Sequence, residues 1–411
     1  MKLLLLHNAY QQHGGEDAVF TAEAELLRAN GHCVIRYQRH NDELLRAGLR
    51  GSISAGINTL WSSTSYKEVF ALLKREEPTI AHFHNTFPLI SPSAYYACFD
   101  AGVPVVQTLH NYRLLCPAAT FLRDGRVCES CLGRSVPWPG IVHACYRNSR
   151  AASTVVAGML TLHRAKQTWA KKVDVYIALS EFSRRKFIEG GLPPKRVAVK
   201  PNFVSDPGVN KSLGEYLISV GRVSEEKSIP LLLSAWSKLH RPPPLRIAGD
   251  GPLRDELITE IRRRGLEKAI DLLGRIPHEE TVKYIRGARF MVIPSQCFEN
   301  FPLTIAEAFA CGVPVIVSRL GAMREIVEDG RTGLHFAAGD SQDLAVKVEW
   351  AWAHPEAMSE MGRAARKEYE AKYTPQQNYR NLMTIYQQVL SGASRTGESK
   401  LSNRKAGIGV P

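Results

Sequence analysis

The chain has 411 residues, 44% of them hydrophobic and 23% charged, and a formal net charge of +13. That length supports two domains, each able to bury its own core. No apolar run reaches the ~18–20 residues that span a bilayer, and no DNA- or RNA-reading motif occurs, so membrane-spanning and nucleic-acid-reading classes are set aside.

The charge is uneven. Residues 1–200 carry 25 basic and 15 acidic side chains, and the remainder carries 28 and 25. A basic first half suits a phosphorylated substrate or an anionic membrane face, or is simply a solvated surface. The opening run Leu3 to Leu6 stops at His7, short of a secretory apolar region, and reads as a first buried strand. The expectation is a cytoplasmic protein, with room for a peripheral position at the inner membrane face.

Taken in order, residues 2–7 predict a strand and Asp17 to Asn30 a helix stopped by Gly31. Further buried strands are expected at Val34–Tyr37, Thr79–His84, Val103–Leu109 and Val173–Leu179. Ser180 then caps a helix through Ile188. Lys200 to Val204 and Asp206-Pro207-Gly208 break the rhythm as an interdomain linker. A second series follows, with strands at Tyr216–Val220, Leu245–Ala248, Ile270–Leu273, Phe290–Ile293 and Val313–Val317. Helices are expected near 229–239, 252–264, 341–353 and 375–390. Alternation of this kind predicts parallel, doubly wound sheets. The expected division is 1–203, 204–373, a last helix 374–390 crossing back to the first domain, and a disordered tail 391–411.

The most informative stretch runs from Ile293 to Gly312. Glu299 and Glu307 are separated by seven residues. Pro302 stands near the first turn of a short helix, and Gly312 lies just past its end. The helix N-terminus offers unpaired N–H groups that suit a phosphate. A bare pair of acids would be an ordinary surface feature, but more of one pattern accompanies it. Gly221-Arg222 and Lys227-Ser228 follow a strand and supply two cations. Gly249-Asp250-Gly251-Pro252 makes a tight turn, and Leu273-Gly274-Arg275-Ile276-Pro277 closes the next strand. In the first half, His13-Gly14-Gly15-Glu16-Asp17 occupies the first strand-to-helix turn, and His110 ends a buried strand.

These residues resemble the retaining glycosyltransferases of family 4, which have the GT-B fold: two Rossmann-like domains facing a cleft. The resemblance covers nearly all of residues 1–390. It implies that Glu299 contacts the donor sugar and that Glu307 holds the ribose. Arg222 and Lys227 would hold the diphosphate, with Ser228 standing where the family has Gly. Arg275 and Ile276 would frame the base, and Asn300, Phe301 and Leu303 would line the nucleotide site. Gly14 and Gly15 would face donor phosphate or acceptor, and His110 would lie beside the sugar. The implied reaction moves a sugar, with retention, from a UDP-, GDP- or ADP-linked donor to a glycan or lipid-linked acceptor. Surface-polysaccharide or glycoconjugate synthesis is the implied setting. No Asp-x-Asp motif occurs, so no catalytic metal is expected. Rival readings are a nucleotide-sugar epimerase on the same fold and a non-catalytic basic binding protein.

Two features stand apart. Cys116, Cys128-x-x-Cys131 and Cys145 have metal-knuckle spacing in a segment of little apolar periodicity. They read either as a structural zinc site or as free or redox thiols. Lys166, Lys171 and Lys172, with Arg147, Arg150 and Arg164, flank the apolar stretch Val155 to Leu162. That suits an anionic membrane surface or an ordinary solvated helix.

Overall fold

The computed structural model describes residues 1–11, 14–45, 56–209 and 214–405. Its first half contains β1 (Lys2–Ala9), β2 (Cys33–His40), β3 (Ile80–Asn85), β4 (Val105–Thr108), β5 (Leu122–Arg123), β6 (Arg126–Val127), β7 (Val175–Ala178) and β8 (Val197–Val199). The second contains β9 (Leu217–Val220), β10 (Leu245–Ala248), β11 (Ile270–Gly274), β12 (Phe290–Ile293), β13 (Val315–Ser318) and β14 (Gly333–Phe336). One sheet is ordered β2-β1-β3-β4-β7-β8 and the other β11-β10-β9-β12-β13-β14, while β5 and β6 form a separate hairpin. Every pairing within the two large sheets is parallel.

Leu3 to Leu6 are fully buried, because helices cover both faces of a parallel strand. Each sheet has a point where strand order reverses and the loops on either side diverge. There the carboxyl ends of the strands open a crevice. In the first sheet it lies between β1 and β3, beside the loop ending in Gly14-Gly15 and beside His84. In the second it lies between β9 and β12, where Gly221-Arg222 and the segment 295–300 emerge.

The two Rossmann-like domains are tied by the end of the chain. In the helix Pro375–Lys405, Leu382, Ile385, Tyr386 and Val389 join Leu3, Leu5, Phe20 and Ile80 in one core of the first domain. Burial of side chains of this size stabilises by roughly 1.5–3 kcal/mol each. The helix continues beyond residue 390, where sequence reading ended it, and residues 406–411 lie outside the described residues. Among the described residues no helix is long and apolar enough to cross a membrane.

Candidate active site

The second-domain wall begins where β9 ends. Gly221 has φ +156°, and Gly249, after β10, has φ +151°. A Cβ on Gly249 would stand 1.9 Å from the Gly221 carbonyl oxygen, so the second turn packs against the first only as glycine backbone. Arg222, just past this contact, is exposed and has no acidic partner among the described residues. Glu225 to Lys227 form one 3-10 turn, which ends at Ser228 with φ +50°. The family's glycine position therefore keeps left-handed geometry with a serine in it, and the Ser228 hydroxyl donates to the Glu225 carbonyl (3.1 Å).

That turn aims Lys227 at the segment after β12. Its Nζ lies 2.6 Å from Glu299 Oε1, which also accepts from Ser295 Oγ at 2.8 Å. The Gln296 N–H donates to the Glu226 carbonyl (3.1 Å), so the two loops are joined by backbone as well. Burial acts to lower the Lys227 pKa, but Glu299 outweighs it and holds the ammonium above its usual range.

The helix Leu303–Ala310 starts after Pro302, and no side chain caps it. Its first N–H groups remain available to an anion. Leu303 meets the first domain here: a Cβ on Gly15 would stand 3.4 Å from Leu303 Cδ1. Glu307, on the second turn, is buried, and His278 Nδ1 stands 3.7 Å from its Oε1. Burial raises the Glu307 pKa, and His278 pulls it partly back. Arg275 is exposed and Ile276 half-buried beyond the end of β11.

Asn300 and Phe301 differ from the ligand-lining part expected of them. The Asn300 amide donates to the Leu109 carbonyl, bridging the domains, while its own carbonyl accepts from Ser180 Oγ at 3.3 Å. Its Oδ1 is buried with no partner. The Phe301 ring turns inward against Tyr373 (centroids 5.5 Å apart), which leaves only its backbone for a ligand. The apolar register of the helix that follows draws that ring into the core.

On the first-domain wall, Asp17 accepts from the Gly14 N–H (2.8 Å) and the Tyr10 N–H (3.4 Å), which ties both residues to the start of the first helix. His13 lies outside the described residues. His110 Nε2 is 2.9 Å from His84 Nδ1, so one ring donates and the other accepts. His84 Nε2 in turn lies 3.3 Å from Glu23 Oε1. Burial holds His110 well below the usual histidine range, and the adjacent His84 and His7 add to the effect, so it stays a neutral imidazole. A small cavity of about 50 Å³ opens between His110, Asn111, Arg113, Thr86 and Phe87. The Arg113 guanidinium is sandwiched over Phe87 (4.6 Å) and Tyr146 (4.9 Å).

Sequence reading assigned no part to His84, Glu16 or Ser295. The strand-end position that singled out His110 equally marks His84, at the end of the strand expected at 79–84. Glu16 sits inside the quoted Gly-Gly loop. Its carboxylate accepts from Asn111 Nδ2 (2.6 Å), and its Oε2 is buried without a partner. Burial raises the Glu16 pKa, against the pull of the Asn111 bond. Ser295 carried no signal, since its value lies wholly in the bond to Glu299.

The two halves also match known proteins. Residues 13–206 match the family described as Glycosyltransferase Family 4, and residues 206–368 match Glycosyl transferases group 1. Alpha-D-kanosaminyltransferase of Streptomyces kanamyceticus is 24% identical over 352 residues, which is 83% of this chain and 84% of that protein. Glycogen synthase of Mycobacterium tuberculosis is 32% identical over 182 residues. That match takes in 44% of this chain and only 43% of the relative's length. Sucrose-phosphate synthase from Thermosynechococcus elongatus shares the fold with a TM-score of 0.69 at 16% identity, over 95% of this chain and 100% of that one. Anabaena HepE, solved in complex with UDP, does so with a TM-score of 0.68 at 18% identity, over 96% and 100%.

Proposed function

The chain belongs to glycosyltransferase family 4, and from that premise we propose that it moves a sugar from a nucleotide-diphosphate sugar to a glycan or lipid-linked acceptor, with retention and without a divalent metal. The observation that carries this reading is the Lys227–Glu299 pair at 2.6 Å. It sets a cation for the leaving diphosphate beside an acid for the sugar hydroxyls, next to the uncapped start of Leu303–Ala310. As the glycosidic bond loosens, negative charge grows on the diphosphate. Lys227, Arg222 and the helix N-terminus stabilise it there, which is where electrostatic help lowers the barrier. Glu307 would hold the ribose. No side chain stands out as an enzymic nucleophile, so the acceptor would attack from the face the diphosphate leaves.

Neutral His110 fits a role beside the sugar ring as a hydrogen-bonding group, and the cavity beside it suits part of an acceptor. A panel of UDP-, GDP- and ADP-sugars, read by thermal shift, finds the donor. UDP-glucose comes first because HepE was also solved with it. Release of nucleoside diphosphate that depends on acceptor, with an axial product linkage by NMR from an axial donor, supports transfer with retention. Interconversion of the donor sugar without acceptor would make the protein an epimerase. Binding without any turnover would make it a binding protein.

We also propose a peripheral position on an anionic membrane, at the cytoplasmic face, for a lipid-linked acceptor in polysaccharide or glycoconjugate synthesis. The apolar stretch Val155 to Leu162 lies in the helix Arg150–Ala165 and turns Val156, Met159 and Leu160 into the core. Arg164 donates to the Leu114 carbonyl (2.8 Å), and Lys172 lies over Phe99 (3.0 Å), so neither is a free surface charge. Arg147, Arg150, Lys166 and Lys171 remain exposed. Arg147 and Arg150 stand at one end of this helix and Lys166 and Lys171 at the other, and on the segment before it Val136, Trp138 and Val142 are 45%, 50% and 51% exposed. That mixture of an aromatic ring, apolar side chains and cations suits the headgroup region.

A further inference from the structure

Between Tyr112 and Ser149 the chain leaves the sheet and makes little regular structure. It contains only the two-residue strands β5 and β6 and the short helix Trp138–Val142. The excursion is also backbone-strained. Ala119, Phe121, Asp124, Ala144, Arg147 and Asn148 all have φ between +49° and +68°, where side chains are disfavoured. A segment of this length with so little regular structure is uncommon in a compact domain and usually has a role of its own.

All four cysteines of this excursion line the same small cavity, of about 10 Å³. Its other walls include Pro117, Leu122, Pro139 and Gly140. Cys131 is followed two residues later by Gly133 at φ +70°, which turns the chain back after the Cys-x-x-Cys pair. The tightest trio of donor atoms among the described residues is elsewhere: Glu23, His82 and His84, all within 4.8 Å. There the second Glu23 oxygen takes Lys200 Nζ at 2.9 Å, so that trio is an ion-paired network with its own cation. The cysteine sulfurs stand wider than that trio. A tetrahedral zinc, with sulfurs about 2.3 Å from the ion, requires them to rotate inward.

We infer that Cys116, Cys128, Cys131 and Cys145 bind one structural zinc ion as a tetrathiolate. Each thiol gives up its proton on binding, and the closed ligand set leaves no open position for catalysis. The ion ties the segment's start (Cys116), the turn after its hairpin (Cys128 and Cys131) and its end (Cys145) to one point. The stapled unit reaches the donor side of the cleft. The Gly125 N–H donates to Glu225 Oε1 (3.0 Å), and Phe121 packs edge-on against Phe298 (5.8 Å), the residue before Glu299.

Elemental analysis of untagged protein should give about one zinc per chain. C128S/C131S should lose it, while C33S, outside the cluster, keeps it. Cobalt substitution should give the intense visible bands of a tetrahedral thiolate site. Limited proteolysis of the metal-stripped protein should cut first within 112–149. Should C128S/C131S fail to fold, native thiol titration of the wild type decides: four thiols should become reactive only after a strong chelator. Wild-type protein without metal, with these thiols freely titratable or paired as disulfides, would overturn the inference. So would zinc retained by folded C128S/C131S. None of these readouts depends on the transferase assignment.

Discussion

Lys227 and Glu299 are 72 residues apart in sequence and 2.6 Å apart in the fold, and they are the closest contact between the β9 turn and the segment after β12. On the proposed reading, the pairing means that the cation and the acid of the donor site are fixed by one another before any ligand arrives. The lysine need not be ordered when the diphosphate leaves, so little reorganisation is left for the reaction.

Lys227→Ala should lower kcat by roughly 10- to 100-fold, with a smaller change in donor KM, since one charge-assisted hydrogen bond amounts to roughly 1.5–3 kcal/mol. Arg222→Ala should act in the same direction. K227A combined with E299Q should lose less than the product of the single losses, because the two side chains share one interaction. Steady-state kinetics on the four proteins test this. Full turnover in K227A would take the lysine out of the diphosphate site. Adding magnesium or manganese should leave the wild-type rate unchanged, and a rate that depends on either would defeat the metal-free mechanism.

Glu307 makes a prediction with a sign. Burial raises its pKa in the fold. A carboxyl whose folded pKa exceeds the unfolded one adds stability fully below the unfolded pKa, and that stability is lost as pH rises through the folded value. At neutral pH the ionised group is therefore a cost to the free protein. Glu307→Gln should raise the Tm of the free protein by about 2–4 °C, the shift expected for ~1 kcal/mol. Glu307→Ala should weaken nucleoside diphosphate binding by roughly 2–4 kcal/mol through two lost bonds to the ribose. Wild-type affinity should fall as pH drops through the raised pKa. Calorimetry at several pH values, with unchanged affinity in a folded Glu307→Ala, would remove the residue from the site.

Glu23 is the opposite case. Burial alone would raise its pKa, but Lys200, His82 and His84 overcome this and hold it well below the usual range. Its contribution is present above the unfolded pKa and is lost as pH falls through the folded one. Glu23→Gln leaves Lys200 buried without its counter-charge, bonded to Asn378 Oδ1 (3.2 Å), at a cost of about 3–5 kcal/mol. Adding Lys200→Met should restore most of that loss. Urea titrations measure both, and a Glu23→Gln protein as stable as wild type would show that the pair is not what joins the first helix to the start of the linker.

How much of this was readable in the sequence follows from range. Strands such as Leu3 to Leu6 announce themselves because a parallel strand buried on both faces is a continuous apolar run. β14 was missed because Gly333-Leu334-His335-Phe336 is four residues long and opens on a glycine. The helix Pro355–Lys372 was missed because its buried face (Met358, Met361, Gly362, Ala365, Tyr369) is spread among charged residues. Candidate site residues on one segment, Glu299 and Glu307, can be read from spacing. Contacts made between segments cannot: the Lys227–Glu299 pair, Asn300 against Leu109, and the His110–His84 bond with Glu23 Oε1 3.3 Å from His84 Nε2. They depend on which strand ends the sheet order brings together.

The surface proposal has its own test. Trp138 is half exposed, and Arg134 lies over its ring at 5.4 Å. Val136 and Val142 are exposed as well, and the exposed cations Arg147, Arg150, Lys166 and Lys171 stand around the two ends of the helix Arg150–Ala165. Each cation near an anionic surface contributes about 1 kcal/mol, a contribution that salt screens, while the ring adds apolar contact that salt does not weaken. Wild-type protein should sediment with vesicles containing anionic lipid at low salt and be released as salt rises, and it should ignore neutral vesicles. Arg150→Glu with Lys171→Glu should abolish sedimentation. Trp138→Ala should weaken it and make what remains more sensitive to salt. Transfer to a soluble acceptor should be unchanged in both variants, because none of these residues contacts Lys227, Glu299 or Glu307. Wild-type protein that stays in the supernatant with anionic vesicles at low salt would end the membrane reading and leave the transferase reading intact.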